Sequence, residues 1–289
     1  MEHLPEHLFL KIGASSLWVT RELAGDPGLT RLADPDSLLA SPGCKIIKDQ
    51  KKIKVGRLRL ELGGQQRGIY LKRYNVFSWR YRLGSLFTRS AAYHSLRGAE
   101  FFIEAGFHVA PPLAAVEERR GRVLQKSFYI SGEIPKSFTL GEFWAAKAAA
   151  LDFREIWRLQ RCLITEAAAL FQSLHRKKIY HNDLKEANIL VREEAGLRQY
   201  YFTDLERAAG RRLSCRRKVK NLVQIDRTLG RKFSRGRRLA FLMAYLGDGF
   251  KNKSARRRWI FRIVREGRRR DLRSLAKQSR KNGLSWLGR

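Results

Sequence analysis

The stretch "IYHNDLKEANILV", residues 179–191, sets His181, Asp183 and Asn188 between two short apolar runs. An acid and an amide five residues apart, in a segment otherwise suited to a buried strand, call for a chemical reason. Immediately upstream, residues 151–177 carry a clear helical signal. Ile156, Leu159, Leu163, Ala167, Leu170, Phe171 and Leu174 recur at three- and four-residue spacings and line one face. Downstream, "LRQYYFTDLERAAG" (197–210) reads as a β-rich run that stops at Asp204 and turns.

Working outward toward the N-terminus, the pattern changes to strands. "CKIIKD" (44–49), "KIKVGRLRLEL" (52–62) and "RGIYLKRY" (67–74) are short, β-rich and separated by turn material such as "GGQQ". Lys72 closes the apolar run Ile69–Tyr70–Leu71. A helical stretch is expected across roughly 85–105, ending at Gly106, then two strands around a turn in "VAPPLAAVEERRGRVLQKSFYI" (109–130), with "SGEIPKSFTL" as a connector. Beyond about 216 the chain reads as helical and basic, and all seven prolines precede residue 136. The expected division is a loosely organised lead-in (1–43, punctuated by "AGDPG", "DPDS" and "SPG"), a strand-rich lobe (44–130), a mostly helical lobe (131–250) and a basic helical tail (251–289). The expected fold class is α+β.

The spacing H-x-D-x4-N between apolar runs is that of a phosphoryl-transfer catalytic loop. On this reading Asp183 accepts the proton of an attacking hydroxyl and Lys185 offsets charge on the group in flight. Asn188 and Asp204 are the metal ligands; magnesium takes oxygen donors and keeps several waters, so one carboxylate, one amide and nucleotide phosphates suffice. Lys72 supplies the cation for the α- and β-phosphates, as transition-state charge spread over phosphoryl oxygens requires. His181 is expected to hold the loop and His175 to pack at a helix end. The competing reading is a capped turn, with Asp183 and Asn188 satisfying nearby backbone donors.

These residues resemble the protein-kinase-like superfamily, and most closely the lipopolysaccharide kinase (Kdo/WaaP) family, from about residue 45 to 245. "RLRLELGGQQRGIYLKRY" is similar to that family's second and third strands, "KSFYISGEIPKSFTLGEFW" to its hinge, "LHRKKIYHNDLKEANILV" to its catalytic loop and "FTDLERA" to its metal segment. The resemblance implies a bilobal kinase-like fold, with a small antiparallel sheet in the first lobe. It also implies ATP and Mg2+ as cofactors, and transfer to a heptose or Kdo hydroxyl of the lipopolysaccharide inner core. Glu133 and Ile134 would then lie where the adenine is read, mainly by backbone groups. The glutamate that pairs with Lys72 in kinases has no obvious counterpart. Counting back from Gly106 places the position at Ser95, and Glu100 is the nearest alternative. No GxGxxG precedes Lys72, so "KDQKKIK", with Lys51 and Lys52, would cover the phosphates. Glu206 stands where a protein kinase carries glycine, Asn182 where many carry arginine, and no A-P-E segment follows Asp204. These departures favour a small hydroxyl acceptor over a protein.

Composition bounds the partners. The chain has 289 residues, 44% of them hydrophobic, which suits a globular protein with a sizeable core. Sixty Lys and Arg against 27 Asp and Glu give a formal charge of +33, a field that attracts phosphate-rich or anionic partners. Cys44, Cys162 and Cys215 lie far apart, arguing against a disulfide framework or a zinc site. The start "MEHLPEHLFLKIG" lacks the features of a signal peptide, and no run approaches a spanning helix, so a cytoplasmic protein is expected. "RRRWIFRIVREGRRRDLRSLAKQ" (256–278) interleaves arginines with apolar residues at helical spacing. It would rest on the anionic inner face of the cytoplasmic membrane or pack on the second lobe. A kinase acting on protein or another small molecule, and a silent kinase-like fold that binds nucleic acid, are the alternatives. Nucleic acid ranks last, because no recognisable module for it is present.

Overall fold

The structure is a computed structural model that describes residues 6–76, 78–210 and 213–281. Down the chain, strands β1 (His7–Ile12) and β2 (Ser15–Thr20) lead to helices α1 (Leu29–Ala33) and α2 (Pro35–Ala40). Strands β3 (Lys45–Gln50), β4 (Ile53–Leu62) and β5 (Gln65–Asn75) follow, then α3 (Trp79–Gly84), α4 (Ala91–Glu104), β6 (His108–Val109), β7 (Pro112–Arg120), β8 (Val123–Gly132) and β9 (Ser137–Thr139). Helices α5 (Leu140–Ala150) and α6 (Phe153–Arg176) precede β10 (Ile179–Tyr180), β11 (Ile189–Glu194) and β12 (Leu197–Phe202). Helices α7 (Cys215–Thr228), α8 (Arg235–Leu246) and α9 (Lys253–Lys281) complete the order. Contacts divide the chain into two units: Met1–Phe138 with Asn188–Ala209, and Thr139–Ala187 with Gly210–Arg289.

The first unit is built on a seven-stranded antiparallel sheet in the order β1-β2-β7-β8-β5-β4-β3. Side chains alternate across β5, so Ile69 and Leu71 face one core and Lys72 and Tyr74 face the other. On the second face Tyr74 joins Trp18, Ala115 and the α4 residues Ala92, Tyr93 and Leu96. On the first, Ile69, Leu71, Phe128 and Ile130 pack with Leu32, Leu38 and Leu39.

Leu32, Leu38 and Leu39 overturn the expectation of a loose lead-in. Residues 7–40 supply two strands of the sheet and the cover for one of its faces, each buried leucine contributing about 1.5–3 kcal/mol. The proline and acids of "DPDS" are a helix start and no linker: Asp34 caps α2, accepting from the Ser37 amide, and Pro35 takes the first helical position. The sheet is accordingly larger than expected. The helical stretch expected at 85–105 is α4, which begins later than expected, and a separate short helix, α3, precedes it. Helix α4 starts where Ser90 accepts from the Tyr93 amide.

The β11–β12 hairpin, expected in the second lobe, belongs to the first unit. β12 pairs in parallel with β6 through His108↔Tyr201 and Val109↔Phe202. Phe202 meets Phe102 and Phe107 with ring centroids 5.1 and 5.7 Å away.

In the second unit α5 and α6 each open on a capping box, Thr139 with Glu142 and Asp152 with Glu155. The face of α6 read from the sequence is buried at Leu159, Leu163, Ala167, Phe171 and Leu174. Helix α9 is two-faced. Its inner side is tied in by Trp259 against Tyr245 and by Asp271, which accepts from Arg227 and Arg231. Phe261, Val264, Leu272 and Leu275 stay exposed, Phe261 at 62% and Leu272 at 68%. The tail beyond 281 lies outside the described residues, and among these no helix is long and apolar enough to cross a membrane.

Candidate active site

The motif at 179–191 straddles the two units: Asp183 and Lys185 belong to the second, Asn188 to the first. In the first unit, β5 carries Lys72 on the face that α4 covers. Its ammonium donates to Asp204 Oδ1 at 2.6 Å and lies 4.9 Å from the centre of the Tyr74 ring. Burial alone would lower the Lys72 ammonium; Tyr74 and Asp204 outweigh it, and the net shift is upward. Burial also pushes the Tyr74 phenol up to about 12, so at neutral pH it is uncharged and Asp204 carries the charge that Lys72 meets.

Asp204 and Asn188 sit at one end of the β11–β12 hairpin. Ile189 pairs with Phe202, and one step further the Asn188 carbonyl accepts from the Thr203 amide at 3.1 Å. Asp204 adopts φ 60°, a left-handed conformation uncommon outside glycine, which turns the chain sharply as the strand ends. Helix α4 approaches this turn closely at Gly98, where a Cβ would overlap the Leu205 carbonyl oxygen. One carboxylate and one amide at a common strand end are hard oxygen donors, and they fit a magnesium ion whose remaining ligands are water and phosphate. Among the described residues no group of three or more His, Cys, Asp or Glu gathers, so the donor set is no all-protein cage.

Glu100 is not brought to Lys72. Its buried carboxylate meets His7 Nδ1 at 2.5 Å and accepts from Arg97 at 3.4 Å, while His7 Nε2 bonds the Pro112 carbonyl. The helix position facing the lysine's surroundings is Ser95. The Ser95 and Tyr74 hydroxyls lie 2.7 Å apart, and Ser95 donates to the Ala91 carbonyl. Glu133 and Ile134 follow β8. The Glu133 carboxylate accepts twice from Arg57, its amide donates to the Gly68 carbonyl, and the Ile134 carbonyl accepts from Ser137.

In the second unit Asp183 Oδ2 accepts from Lys185 at 2.6 Å, and the Asp183 amide donates to His181 Nδ1 at 3.2 Å. The backbone of this loop hangs on α7. Asn221 donates to the His181 carbonyl at 2.6 Å, and Gln224 to the Asn182 carbonyl at 2.7 Å and to Asp183 Oδ1 at 3.4 Å. Behind them His175 Nε2 bonds Asn221 Oδ1 and its Nδ1 accepts from the Tyr245 hydroxyl. Burial pushes the His175 imidazole down to about 4, so it serves as a neutral donor–acceptor at neutral pH. Sequence reasoning missed Tyr74, Asn221 and Gln224. A signal existed for the last two: in "NLVQID" (221–226) an amide pair three residues apart interrupts an apolar helix face.

The first unit sets a strand lysine against a carboxylate, a pair suited to phosphate; the second unit, by itself, holds a carboxylate in a loop whose backbone is fixed by buried amides, a group suited to accepting a proton. A model of the lipopolysaccharide kinase (Kdo/WaaP) family matches residues 63–245. The solved structure of WaaP in complex with acyl carrier protein is similar at TM-score 0.56 and 21% identity, covering 84% of this chain and 97% of that one. It shares the kinase-like fold. Among curated protein sequences no relative matches. The chain belongs to the lipopolysaccharide kinase (Kdo/WaaP) family, and it is a kinase.

Proposed function

We propose that the protein transfers the γ-phosphoryl group of ATP to a hydroxyl of an inner-core sugar, heptose or Kdo, of lipopolysaccharide. The observation that carries this reading is the Lys72–Asp204 pair, in which a cation and a carboxylate 132 residues apart meet at one point. Lys72 would hold the α- and β-phosphates, with Glu133 and Ile134 reading the adenine through backbone groups. Asn188 and Asp204 would hold Mg2+, which when bound offsets charge on the phosphates. Asp183 takes the proton of the acceptor hydroxyl as its oxygen bonds the γ-phosphorus. The bond from that phosphorus to the β–γ bridging oxygen breaks, and ADP leaves with the electron pair. Lys185, already on the Asp183 carboxylate, would offset charge on the transferring group.

Glu100 has no part in nucleotide binding on this reading, because its carboxylate is already engaged by His7 and Arg97. The outward face of α9 supports action at an anionic membrane surface on the cytoplasmic side. Exposed Phe261, Val264, Leu272 and Leu275 are flanked by Arg257, Arg265 and Arg268, each near-surface cation contributing about 1 kcal/mol.

The test incubates the protein with labelled ATP and defined core oligosaccharides and locates the phosphate by mass spectrometry. Transfer to a heptose or Kdo hydroxyl is expected. Asp183→Asn should remove most turnover while nucleotide affinity stays near normal. Wild-type turnover in that variant, or phosphate on none of the acceptors, overturns the reading.

A further inference from the structure

The β1–β2 hairpin closes one end of the sheet, with β7 and β8 between it and Lys72 on β5. It nevertheless holds α4 at two points. Trp18 meets Tyr93 edge to face with ring centroids 5.0 Å apart, and Phe9 backs Trp18 at 5.1 Å. His7 Nδ1 lies 2.5 Å from Glu100 Oε1, and Nε2 donates to the Pro112 carbonyl at the start of β7. Tyr93 and Glu100 are seven residues apart, so they share one side of α4, about two turns from each other.

Gly98 lies about 200° round the helix from Glu100, on the side that meets Leu205. Helix α4 is therefore set between the hairpin and the turn that carries Asp204. Cohesion alone does not account for the polar grip. The His7 and Glu100 side chains are 1% and 3% exposed, and desolvation offsets most of the attraction in a pair so buried. An apolar pair would fill the same space and could slide. A short bond between a ring nitrogen and a carboxylate fixes distance and direction.

We infer that the β1–β2 hairpin, through His7 on Glu100 and Trp18 on Tyr93, sets where α4 meets the Asp204 turn. His7 is then a positioning residue for the carboxylate assigned to magnesium. The inference rests on the proposed role of Asp204 and adds a control point far upstream of it. Close-packed elements transmit a displacement, so loosening the His7 grip shifts α4 and the Gly98–Leu205 approach with it.

The experiment uses the full chain. Glutamine carries its nitrogen as many bonds from Cβ as Nε2, and asparagine as many as Nδ1. His7→Gln therefore keeps a donor for Pro112 and loses the Glu100 contact, whereas His7→Asn keeps a donor for Glu100. Glu100→Met, a second loss variant, removes the contact from the other side and leaves no buried charge. Leu38→Val, in the core on the opposite face of the sheet, is the control for stability. One readout is hydrogen exchange at residues 203–208, where the Ala208 amide donates to the Leu205 carbonyl at 2.9 Å. The other is ATP affinity by calorimetry with and without Mg2+.

His7→Gln and Glu100→Met should speed exchange at the turn and weaken Mg2+-dependent ATP affinity by about 2–30-fold, the range of coupling between packed sites. His7→Asn should restore both readouts. Leu38→Val should lower the unfolding temperature and match wild type at 203–208. Wild-type exchange at the turn in both loss variants would overturn the inference, as would an asparagine variant no better than the glutamine one. Equal changes in Leu38→Val would reduce the grip to general stability and overturn it too. If the wild type shows no Mg2+-dependent ATP binding, the kinase reading fails at Asp204. Exchange at 203–208 still decides whether the hairpin positions the turn.

Discussion

Gly98→Ala isolates the contact that positions Asp204. The added methyl would overlap the Leu205 carbonyl oxygen and come within 3.1 Å of the Leu205 Cβ. Backbone oxygen cannot swing aside as a flexible side chain would, so relief requires Leu205 to retreat by ~1 Å, a misplacement that near reacting groups costs ~100-fold in rate. Two stability effects oppose each other. Alanine in a helix interior is favoured over glycine by about 1 kcal/mol, and overpacking costs about 1–3 kcal/mol. The net loss of stability is therefore about 0–2 kcal/mol, against about 2.7 kcal/mol for a ~100-fold loss of rate. Gly267→Ala in α9 is the control, because nothing lies within 4 Å of its Cβ. It should gain about 1 kcal/mol with unchanged turnover of a soluble acceptor. Thermal unfolding and ATP-dependent transfer, measured on both variants, separate the two effects. A Gly98→Ala protein with wild-type kcat and KM would refute the claim that α4 sets the position of the Asp204 turn.

Asp204→Ala should remove the magnesium-dependent part of nucleotide affinity, so that calorimetry with and without the metal gives the same result; a persisting difference would place the metal elsewhere. His175 makes stability depend on pH. Its folded pKa, near 4, lies below the ordinary 6.5, so as pH falls the unfolded chain takes the proton first. The stability is whole above pH 6.5 and is lost progressively toward pH 4, by up to about 3 kcal/mol. Urea unfolding at pH 7 and 4.5 should show a smaller pH effect in His175→Gln, and identical slopes would refute it. Tyr74→Phe loses the Ser95 hydrogen bond, about 1 kcal/mol of stability, yet keeps the ring beneath Lys72. Tyr74→Leu also removes the ring, and its KM for ATP should rise about 5–30-fold, as loss of a desolvated cation–π contact predicts; equal KM values for the two variants would refute a role for the ring.

Chemistry confined to a few consecutive residues was legible in the sequence. The α6 periodicity, the strand that carries Lys72 and the carboxylate after "YYFT" each announce themselves by local pattern, because alternation and helical spacing are properties of neighbours; the strand's end does not, and β5 runs past Lys72 to Asn75. What failed was partnership across long separations. Nothing near residue 202 says that Phe202 will join Phe102 and Phe107, yet that cluster draws the β11–β12 hairpin into the first unit. The lead-in was misjudged for a related reason. Proline and glycine punctuate a short helix start as readily as a linker. Only the leucines between them, seated on the sheet, tell the two apart.

The α4 residue that meets Tyr74 marks the limit of local pattern. Counting along α4 leads to Ser95, whose hydroxyl lies 2.7 Å from that of Tyr74, because 3.6-residue geometry is rigid over ten residues. The chemical expectation of a carboxylate then drew attention to Glu100, which lies about 140° round the helix. In the structure that glutamate is held by His7, 93 residues earlier, a partner no local pattern exposes. Ser95 instead braces a phenol two residues past the lysine, on the same side of the strand. A carboxylate on α4 would add a second anion beside Lys72, in competition with Asp204. Tyr74, braced by Ser95, meets the ammonium without adding charge, and so leaves its attraction for Asp204 and for phosphate undivided.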